Sequence, residues 1–308
     1  MSIIVDVQDL TKRYGDLLAV NKVSFTIEQG EIFGFLGPNG AGKTTCLEIM
    51  EGLRKPDGGQ VLLKGQSVWP DPRKVKNLIG VQLQSTSFYE ELTVKEILVL
   101  FASLYGRKLS GLQLDSLLSM AGLEEKRNAY TNSLSGGQKQ RLAIITALVN
   151  EPEIIFLDEP TTGLDPQARR RSWEIIQELQ SKGKTIILTT HYMEEAENLC
   201  ERVAIIDQGK IVAIDQPQKL IDQLGKKAKI SFASTRPLES LFLAQLGAEA
   251  GQVNSGEGHV IFAGEPAQAI GVLLEKAKQE GVVIKNLHVS SPSLDDVFLG
   301  LTGKELRD

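Results

Sequence analysis

Short runs of alternating apolar and polar residues fill the first third of the chain, with turn residues between them. The runs IIVDVQDL and KVSFTIEQG repeat with the period of two that is typical of antiparallel strands with one buried face. The run EIFGFLG is apolar almost throughout, which indicates a strand covered on both faces. Two further strands are predicted at QVLLKGQ and LIGVQLQ. The pattern therefore predicts an antiparallel region next to the first strand of a buried sheet.

Apolar residues recur with a period near 3.6 between Thr93 and about residue 150, notably in TVKEILVLFASLYG and LQLDSLLSMAGL. We expect a helical region at about 86–150. Buried strands return in EIIFLDEP and KTIILTTH, and the amphipathic helix PQARRRSWEIIQELQSKG is predicted between them. The run RVAIIDQGKIVAIDQ predicts a hairpin that turns near Gly209. This alternation of strands and helices predicts an α/β fold built on a mainly parallel core sheet.

The composition changes after Gly225. Strand-like runs (KKAKISFAS, GHVIFAG and VVIKNLHV) alternate there with helix-like runs (PLESLFLAQLG, PAQAIGVLLEKAKQEG and SLDDVFLGLTGKELRD). We therefore predict a small α+β domain at 225–308, following a larger domain at 1–224. Its role stays open between a dimer contact, regulation and contact with another subunit.

Charge and composition narrow the classes of function. A net charge of −5 gives no basic surplus, so no nucleic-acid partner is expected. The basic run Arg169, Arg170 and Arg171 is interpreted as a solvated helix face. Two distant cysteines, no signal-peptide pattern and no apolar run of about 18 residues predict a cytoplasmic chain. Any role at a membrane would need spans that a separate chain supplies.

The segment GPNGAGKT follows a predicted buried strand and precedes a predicted helix. It fits the P-loop pattern GxxxxGK[ST], in which backbone N–H groups and a helix N-terminus surround phosphate oxygens. Lys43 is expected to reach the β- and γ-phosphates, and Thr44 offers its hydroxyl to Mg²⁺. The alternative, a plain glycine-rich turn, does not account for the lysine and threonine. The predicted nucleotide contacts here are Gly37, Pro38, Asn39, Gly40, Ala41, Gly42, Lys43, Thr44 and Thr45.

Two carboxylates end the predicted strand EIIFLDEP. Asp158 would lie at the carboxyl end of a buried strand, where ligands bind in open α/β sheets, and is expected to hold Mg²⁺. Glu159 is expected to orient or deprotonate the water that attacks the γ-phosphate. Two carboxylates in a solvated loop are the alternative, and the P-loop in the same chain makes it the weaker one.

The run LSGGQKQR completes a recognisable order: P-loop, glutamine segment, LSGGQ, the Asp–Glu strand, TGLD and a histidine. Over about residues 3–223 this order resembles the nucleotide-binding subunits of ATP-binding cassette (ABC) transporters. The resemblance implies a P-loop NTPase cassette with antiparallel β and α-helical subdomains, which hydrolyses ATP with Mg²⁺. It also implies that two cassettes pack head to tail, so that LSGGQ of one grips the ATP of the other. The residues expected to act in that way are Ser135, Gly136, Gly137 and Gln138.

The resemblance assigns further residues by position. Tyr14 matches the aromatic residue that stacks on adenine, although a surface tyrosine beside a turn is the alternative. Gln84 matches the glutamine that contacts Mg²⁺ or the attacking water, with Gln82 as the runner-up, since alternation puts both on one face of a strand. His191 matches the histidine that contacts the γ-phosphate. Asp165, which ends TGLD, is counted among the nucleotide-binding residues.

The tail PSLDDVFLGLTGKELRD resembles the end of cassette subunits from type-2 exporters, which move drugs, antibiotics, sodium, lipids or polysaccharides. This implies a subunit on the inner face of the membrane that is bound to a transmembrane permease on a separate chain and paired as a homodimer. A soluble cassette ATPase of translation or DNA repair is the alternative. It is less favoured because the chain has no second cassette, zinc module or long coiled-coil insertion. A P-loop kinase or GTPase does not account for LSGGQ.

Overall fold

The structure is a computed structural model that describes residues 2–84, 87–224, 228–235 and 258–303. The chain divides into two compact units, the first ending at Pro217 and the second beginning at Gln218. The predicted domain boundary at 224/225 lies a few residues later, and residues 225–227 are outside the described part. The predicted start of the helical region at residue 86 and the predicted helix PLESLFLAQLG also lie outside the described residues.

The strands and helices of the first unit follow the order that the sequence predicts. The strands are β1 (Ile3–Tyr14), β2 (Leu17–Glu28), β3 (Ile32–Leu36), β4 (Gly58–Leu63), β5 (Gln66–Ser67), β6 (Ile79–Gln82), β7 (Ile154–Asp158), β8 (Thr185–Thr190), β9 (Arg202–Asp207) and β10 (Lys210–Asp215). The helices are α1 (Lys43–Met50), α2 (Val94–Leu104), α3 (Gly111–Ala121), α4 (Gly136–Thr146), α5 (Pro166–Ser181) and α6 (Met193–Leu199). Helix α7 (Pro217–Asp222) starts at Pro217, and its other residues belong to the second unit.

The core sheet has the order β10-β9-β3-β8-β7-β6 and is parallel except for the edge strand β10. Strands β3, β7 and β8 are buried along their whole length, as apolar strands covered on both faces are. Leu36 pairs with Thr190, and Asp158 pairs with Thr189, so these three strands end at the same edge. The P-loop, the two carboxylates and His191 therefore leave the sheet side by side.

A second sheet, β2-β1-β4-β5, is antiparallel and shares the hydrophobic core with one face of the core sheet. Phe25 of β2 packs on Phe33 and Phe35 of β3, with ring centroids 5.4 Å and 5.2 Å away. Met50, at the end of α1, is fully buried in the same cluster. This packing fixes the strand before the P-loop and the helix after it.

The helical region consists of α2, α3 and α4, and a capping residue in the sequence marks where each of them begins. Thr93, Ser110 and Ser135 each precede one helix and accept a hydrogen bond from a backbone N–H in its first turn, in a complete capping box. Helix α3 ends at Gly122, whose left-handed φ of 59° suits glycine. The predicted mixed fold, with a parallel core and antiparallel and helical additions, is confirmed.

Besides most of α7, the described part of the second unit contains an antiparallel sheet in the order β12-β11-β13 and two further helices. Ile230 and Phe232 of the sheet pack with Leu273 in a separate hydrophobic cluster. Its elements are β11 (Ala228–Ser234), β12 (Gly258–Ala263), α8 (Pro266–Glu280), β13 (Ile284–Ser290) and α9 (Leu294–Thr302). Among the described helices of the chain, none combines the length and the apolar character that a membrane crossing requires.

Candidate nucleotide site

The P-loop connects β3 to α1 and needs glycine where its backbone crosses neighbouring segments. A Cβ added at Gly37 would lie 2.2 Å from the carbonyl oxygen of Ile206. Gly42 has φ 105°, and a Cβ there would lie 2.3 Å from the carbonyl oxygen of Ala19. Such contacts exclude any side chain, so the loop can fold tightly over the N-terminus of α1. This is the arrangement that presents backbone N–H groups to phosphate.

Lys43 is buried, and its Nζ donates to the carbonyl oxygens of Gly37 at 2.7 Å and Pro38 at 3.1 Å. Burial lowers the pKa of this ammonium group, and the negative charges of Glu159 and Asp158 partly oppose that shift. The ammonium group of Lys43 thus lies inside the P-loop, where the phosphate oxygens of a bound nucleotide are expected.

The carboxylate of Asp158 is buried and accepts hydrogen bonds from two hydroxyl groups. Its Oδ1 accepts from the hydroxyl of Thr189 and from Thr44 Oγ1, the latter at 3.3 Å. Burial raises the pKa of Asp158, and the two hydroxyl groups partly offset this effect. A hard divalent cation with oxygen ligands would compensate this carboxylate, and the Thr44–Asp158 pair supplies the hydroxyl and carboxylate oxygens that Mg²⁺ prefers. The residues present therefore fit the predicted magnesium ion.

Glu159 is held in a left-handed backbone conformation with φ 48°, which is uncommon for a residue with a side chain. Its N–H donates to Thr189, both to the hydroxyl at 3.0 Å and to the carbonyl oxygen at 3.2 Å. Its Oε2 accepts from Thr162 Oγ1 at 3.1 Å, and its Oε1 lies 3.5 Å from Nδ1 of His191. The carboxylate is thus fixed at the sheet edge beside the histidine.

A cavity of about 400 Å³ opens over the P-loop. Tyr14 lines this cavity and is 40% exposed, with the Arg54 guanidinium 5.3 Å from its ring centroid. Gln84 and Glu159 line the same cavity together with Lys43 and Thr44. Gln82 instead is buried, and its amide donates to the carbonyl oxygen of Leu83 at 2.7 Å. The full lining is Tyr14, Leu17, Ala19, Asn39, Gly40, Ala41, Gly42, Lys43, Thr44, Thr45, Gln84 and Glu159.

The LSGGQ residues lie elsewhere. Of the described residues, those at 134–138 are absent from the cavity lining. Ser135 caps α4, because its Oγ accepts from the N–H of Gln138 at 3.3 Å while Gln138 Oε1 accepts from the N–H of Ser135 at 2.9 Å. Asp165 is also outside the lining and caps α5, with Oδ1 accepting from Ala168 N at 2.8 Å. Four further predicted residues are absent from the lining but lie next to residues that form it: Gly37 and Pro38 accept from Lys43, Asp158 accepts from Thr44, and His191 lies beside Glu159. The predicted site residues thus form a cavity group with these direct neighbours and a separate group at the N-termini of α4 and α5.

Sequence reasoning missed a buried carboxylate next to this site. Glu195 of α6 is fully buried, and its Oε1 accepts from Thr161 Oγ1 at 2.8 Å and Trp173 Nε1 at 3.0 Å. The interpretation of the arginine run as a solvated face was wrong for Arg169, which is only partly exposed and lies 4.5 Å over the Tyr192 ring. Tertiary packing of α5 against α6 covers both side chains, and the helical period alone gave no signal for it.

A P-loop, paired carboxylates and a histidine at the carboxyl edge of a parallel sheet define a P-loop ATPase. The chain belongs to the ABC transporter family as an ATP-binding subunit that hydrolyses ATP: the family model described as ABC transporter matches residues 20–162. Nod factor export ATP-binding protein I of Rhizobium etli is 41% identical over 98% of this chain and 94% of its own length. The protein of the same name from Burkholderia lata is 40% identical over 99% and 98%.

Solved structures agree with this assignment. An ATP-binding subunit of an ABC transporter is 31% identical, with a TM-score of 0.65 over 72% of this chain and 93% of its own. A dimeric post-hydrolysis state of an ATP-binding cassette bound to ADP and Pi is also 31% identical, with a TM-score of 0.62 over 69% and 98%. The family assignment favours transport over the translation and repair alternative.

Proposed function

We propose that this chain powers a membrane exporter as a pair of cassettes joined head to tail around ATP. One observation carries the pairing. The cavity brings Lys43, Thr44, Gln84 and Glu159 to one place, whereas the LSGGQ residues lie outside its lining in the described part of the chain. A second copy would supply LSGGQ to the open side of the cavity. The related cassette whose structure is a dimer supports this arrangement.

In the proposed site, the P-loop N–H groups and Lys43 bind the phosphates, and Tyr14 stacks on the base. Thr44 and Asp158 would hold Mg²⁺. When bound, this ion would screen the phosphate charge and act as a Lewis acid. Lys43 adds a second cation, so the negative charge that develops on the β-phosphate when its bond to the γ-phosphate breaks is met by groups already in position.

Glu159 is the proposed base, because its carboxylate lies at the cavity and is fixed by Thr162 and His191. It would accept the proton of the water that attacks the γ-phosphate, while Gln84 orients that water. The bond between the γ-phosphorus and the bridging oxygen would break as the water adds, so ADP and inorganic phosphate are the products. His191 would contact the γ-phosphate and so sense whether it is present. Loss of this shared phosphate would remove the contact with LSGGQ of the other copy and let the pair open.

The surface around Gln84 supports docking of another chain. Tyr89 and Leu104 are 65% and 62% exposed, and Leu83 and Val99 are also exposed. Ser87 and Phe88 lie in the same region, with the Phe88 ring 6.4 Å from that of Phe101. We propose that the permease binds here and keeps the chain at the inner face of the membrane. Because the relatives are named for Nod factor export, Nod factor is the first cargo to test, with inside-out vesicles that contain the recovered permease.

The Glu159→Gln variant tests the pairing. It keeps the shape of the side chain but removes the base, so it should bind ATP, hydrolyse it very slowly and accumulate as a dimer. Light scattering at saturating ATP should give twice the chain mass. A Lys43→Ala, Glu159→Gln double variant is the matched control and should stay monomeric. A monomer in both cases would refute the shared site.

The same variant tests the partner. Tagged Glu159→Gln protein with ATP would be added to detergent-solubilised native membranes, recovered, and its partners identified by mass spectrometry. A stoichiometric polytopic membrane protein is expected. Recovery of ribosomal or DNA-repair proteins without a membrane chain would overturn the transport role and leave the ATPase chemistry intact.

A further inference from the structure

The two adjacent glycines of LSGGQ differ in their surroundings. A Cβ added at Gly136 would meet no atom within 4 Å among the described residues. A Cβ added at Gly137 would lie 2.8 Å from the Cβ of Ala168, closer than two such carbons approach in proteins. In the described part of the chain, no contact therefore requires glycine at position 136, whereas helix α5 leaves no room for a side chain at position 137.

Ala168, the residue of α5 that packs against Gly137, is held in place by hydrogen bonds of its own backbone. Ala168 lies in the first turn of α5, and its N–H donates to Oδ1 of Asp165 at 2.8 Å. Its carbonyl oxygen accepts from Ser172 Oγ at 3.2 Å, within the same helix. Pro166 stiffens the start of that helix. The Ala168 methyl group is therefore held by the first turn of α5, which is tied to the Asp165 side chain, and it cannot move aside without disturbing that turn.

The other side of the contact is also fixed. Arg141 lies one turn after Gly137 in α4, and its Nε donates to the carbonyl oxygen of Ala121 at 2.7 Å. This bond ties α4 to the end of α3. The start of α4 is thus held between α3 and the Ala168 methyl group, and its distance from α5 is set by the absence of a side chain at position 137.

We propose that Ala168 is a positioning residue for LSGGQ, which sets where the N-terminus of α4 presents its N–H groups. The proposal rests on the proposed function, in which those N–H groups meet the γ-phosphate of the ATP held by the other copy. Gly137 then has a role inside its own chain: it allows α4 to seat against α5. A displacement of about 1 Å at such a site costs on the order of 100-fold in rate.

A second-site rescue tests this. Gly137→Ala should lower kcat by about 10- to 100-fold and prevent ATP-driven dimerisation in the Glu159→Gln background. Binding of a fluorescent ATP analogue to the monomer should not change, because the P-loop is untouched. Removing the opposing methyl group with Ala168→Gly should restore the Gly137→Ala chain to within about threefold of Ala168→Gly alone. Failure of this rescue would overturn the proposal.

Gly136→Ala is the matched control. Its side chain would meet no neighbour among the residues that the structure describes, so we expect any loss of activity to come from the ATP held by the other copy, and Ala168→Gly should not rescue it. Thermal unfolding separates this inference from the pairing itself. Alanine stabilises a helix relative to glycine, so Gly136→Ala should raise Tm. Gly137→Ala should lower Tm when Ala168 is present, but should not lower it when it is added to the Ala168→Gly chain. If the Glu159→Gln chain never dimerises, the pairing fails; if Gly137→Ala does not lower Tm, the internal contact fails.

Discussion

Glu195 should be one of the main polar contributors to the stability of the cassette. Its carboxylate is fully buried and joins three segments: the loop after Glu159 through Thr161, helix α5 through Trp173, and helix α6 itself. Burial raises its pKa, and hydrogen bonds from neighbouring side chains oppose that shift. Glu195→Ala removes the acceptor from the buried hydroxyl of Thr161 and from the partly buried indole N–H of Trp173.

The size of the loss follows from these two bonds. A hydrogen bond to a charged group contributes about 1.5–3 kcal/mol, so two contribute about 3–6 kcal/mol. Part of this is offset, because the variant no longer buries a carboxylate. We expect a net loss of about 3 kcal/mol. For a unit of this size that corresponds to a decrease in Tm of about 6–12 °C.

Thermal unfolding followed by far-UV circular dichroism measures the change. Glu194→Ala is the matched control on the same helix, because its side chain is 65% exposed and lies 3.8 Å from Arg169. Such a pair contributes at most about 1 kcal/mol. Trp173→Phe removes only the indole N–H, and its effect should be clearly less than additive with Glu195→Ala. Equal Tm values for the two glutamate variants, or strict additivity with Trp173→Phe, would refute the reasoning.

Two further predictions concern Lys43 and Glu51. Lys43→Ala should reduce ATP affinity at least about tenfold, because a charge-assisted contact to phosphate contributes about 1.5–3 kcal/mol, and ATP turnover should fall to background. Isothermal titration and a phosphate-release assay check this; wild-type turnover would exclude the assigned site. Burial raises the pKa of Glu51 to about 8, with the charges of Asp158 and Glu48 adding to the effect. The folded chain therefore keeps a proton that the unfolded chain releases, so stability should fall between about pH 4.5 and 8, by at most about 1.4 kcal/mol for each pH unit. Glu51→Gln should remove that part of the pH dependence in magnesium-free urea titrations; an unchanged slope would contradict it.

The core sheet and the cavity were predictable because their signals are local. Strands β3 and β7 read as short apolar runs, and the P-loop and the Asp158–Glu159 pair directly follow such runs. The choice between Gln82 and Gln84 could not be made from the period of a strand. Strand β6 ends at Gln82, and past that point alternation no longer applies, so the chain turns and brings Gln84 to the cavity.

Contacts between distant segments were not predictable. Glu194 and Glu195 are adjacent acidic residues in the first turn of α6, yet only Glu195 is buried, because α5 covers it and supplies its indole partner. The close packing of Gly137 on Ala168, where an added Cβ would lie 2.8 Å from the Ala168 Cβ, likewise joins two helices whose separation no local pattern encodes. The packing role proposed for Gly137 therefore follows only from the three-dimensional structure, whereas its membership in LSGGQ is evident from the sequence.

The parallel pairing of the core sheet has a consequence for how the protein folds. Strand β3 pairs directly with β8, so Ile32 meets Ile186, and β7 pairs with β8 from the other side. Contacts between such distant parts of a chain form slowly, because a long loop must close before any contact is gained. The P-loop is made early on the ribosome, but the carboxylates and the histidine join it only after β8 has been inserted. Tight nucleotide binding is therefore a property of the finished cassette, and a nascent or truncated chain that ends before β8 should not bind ATP tightly.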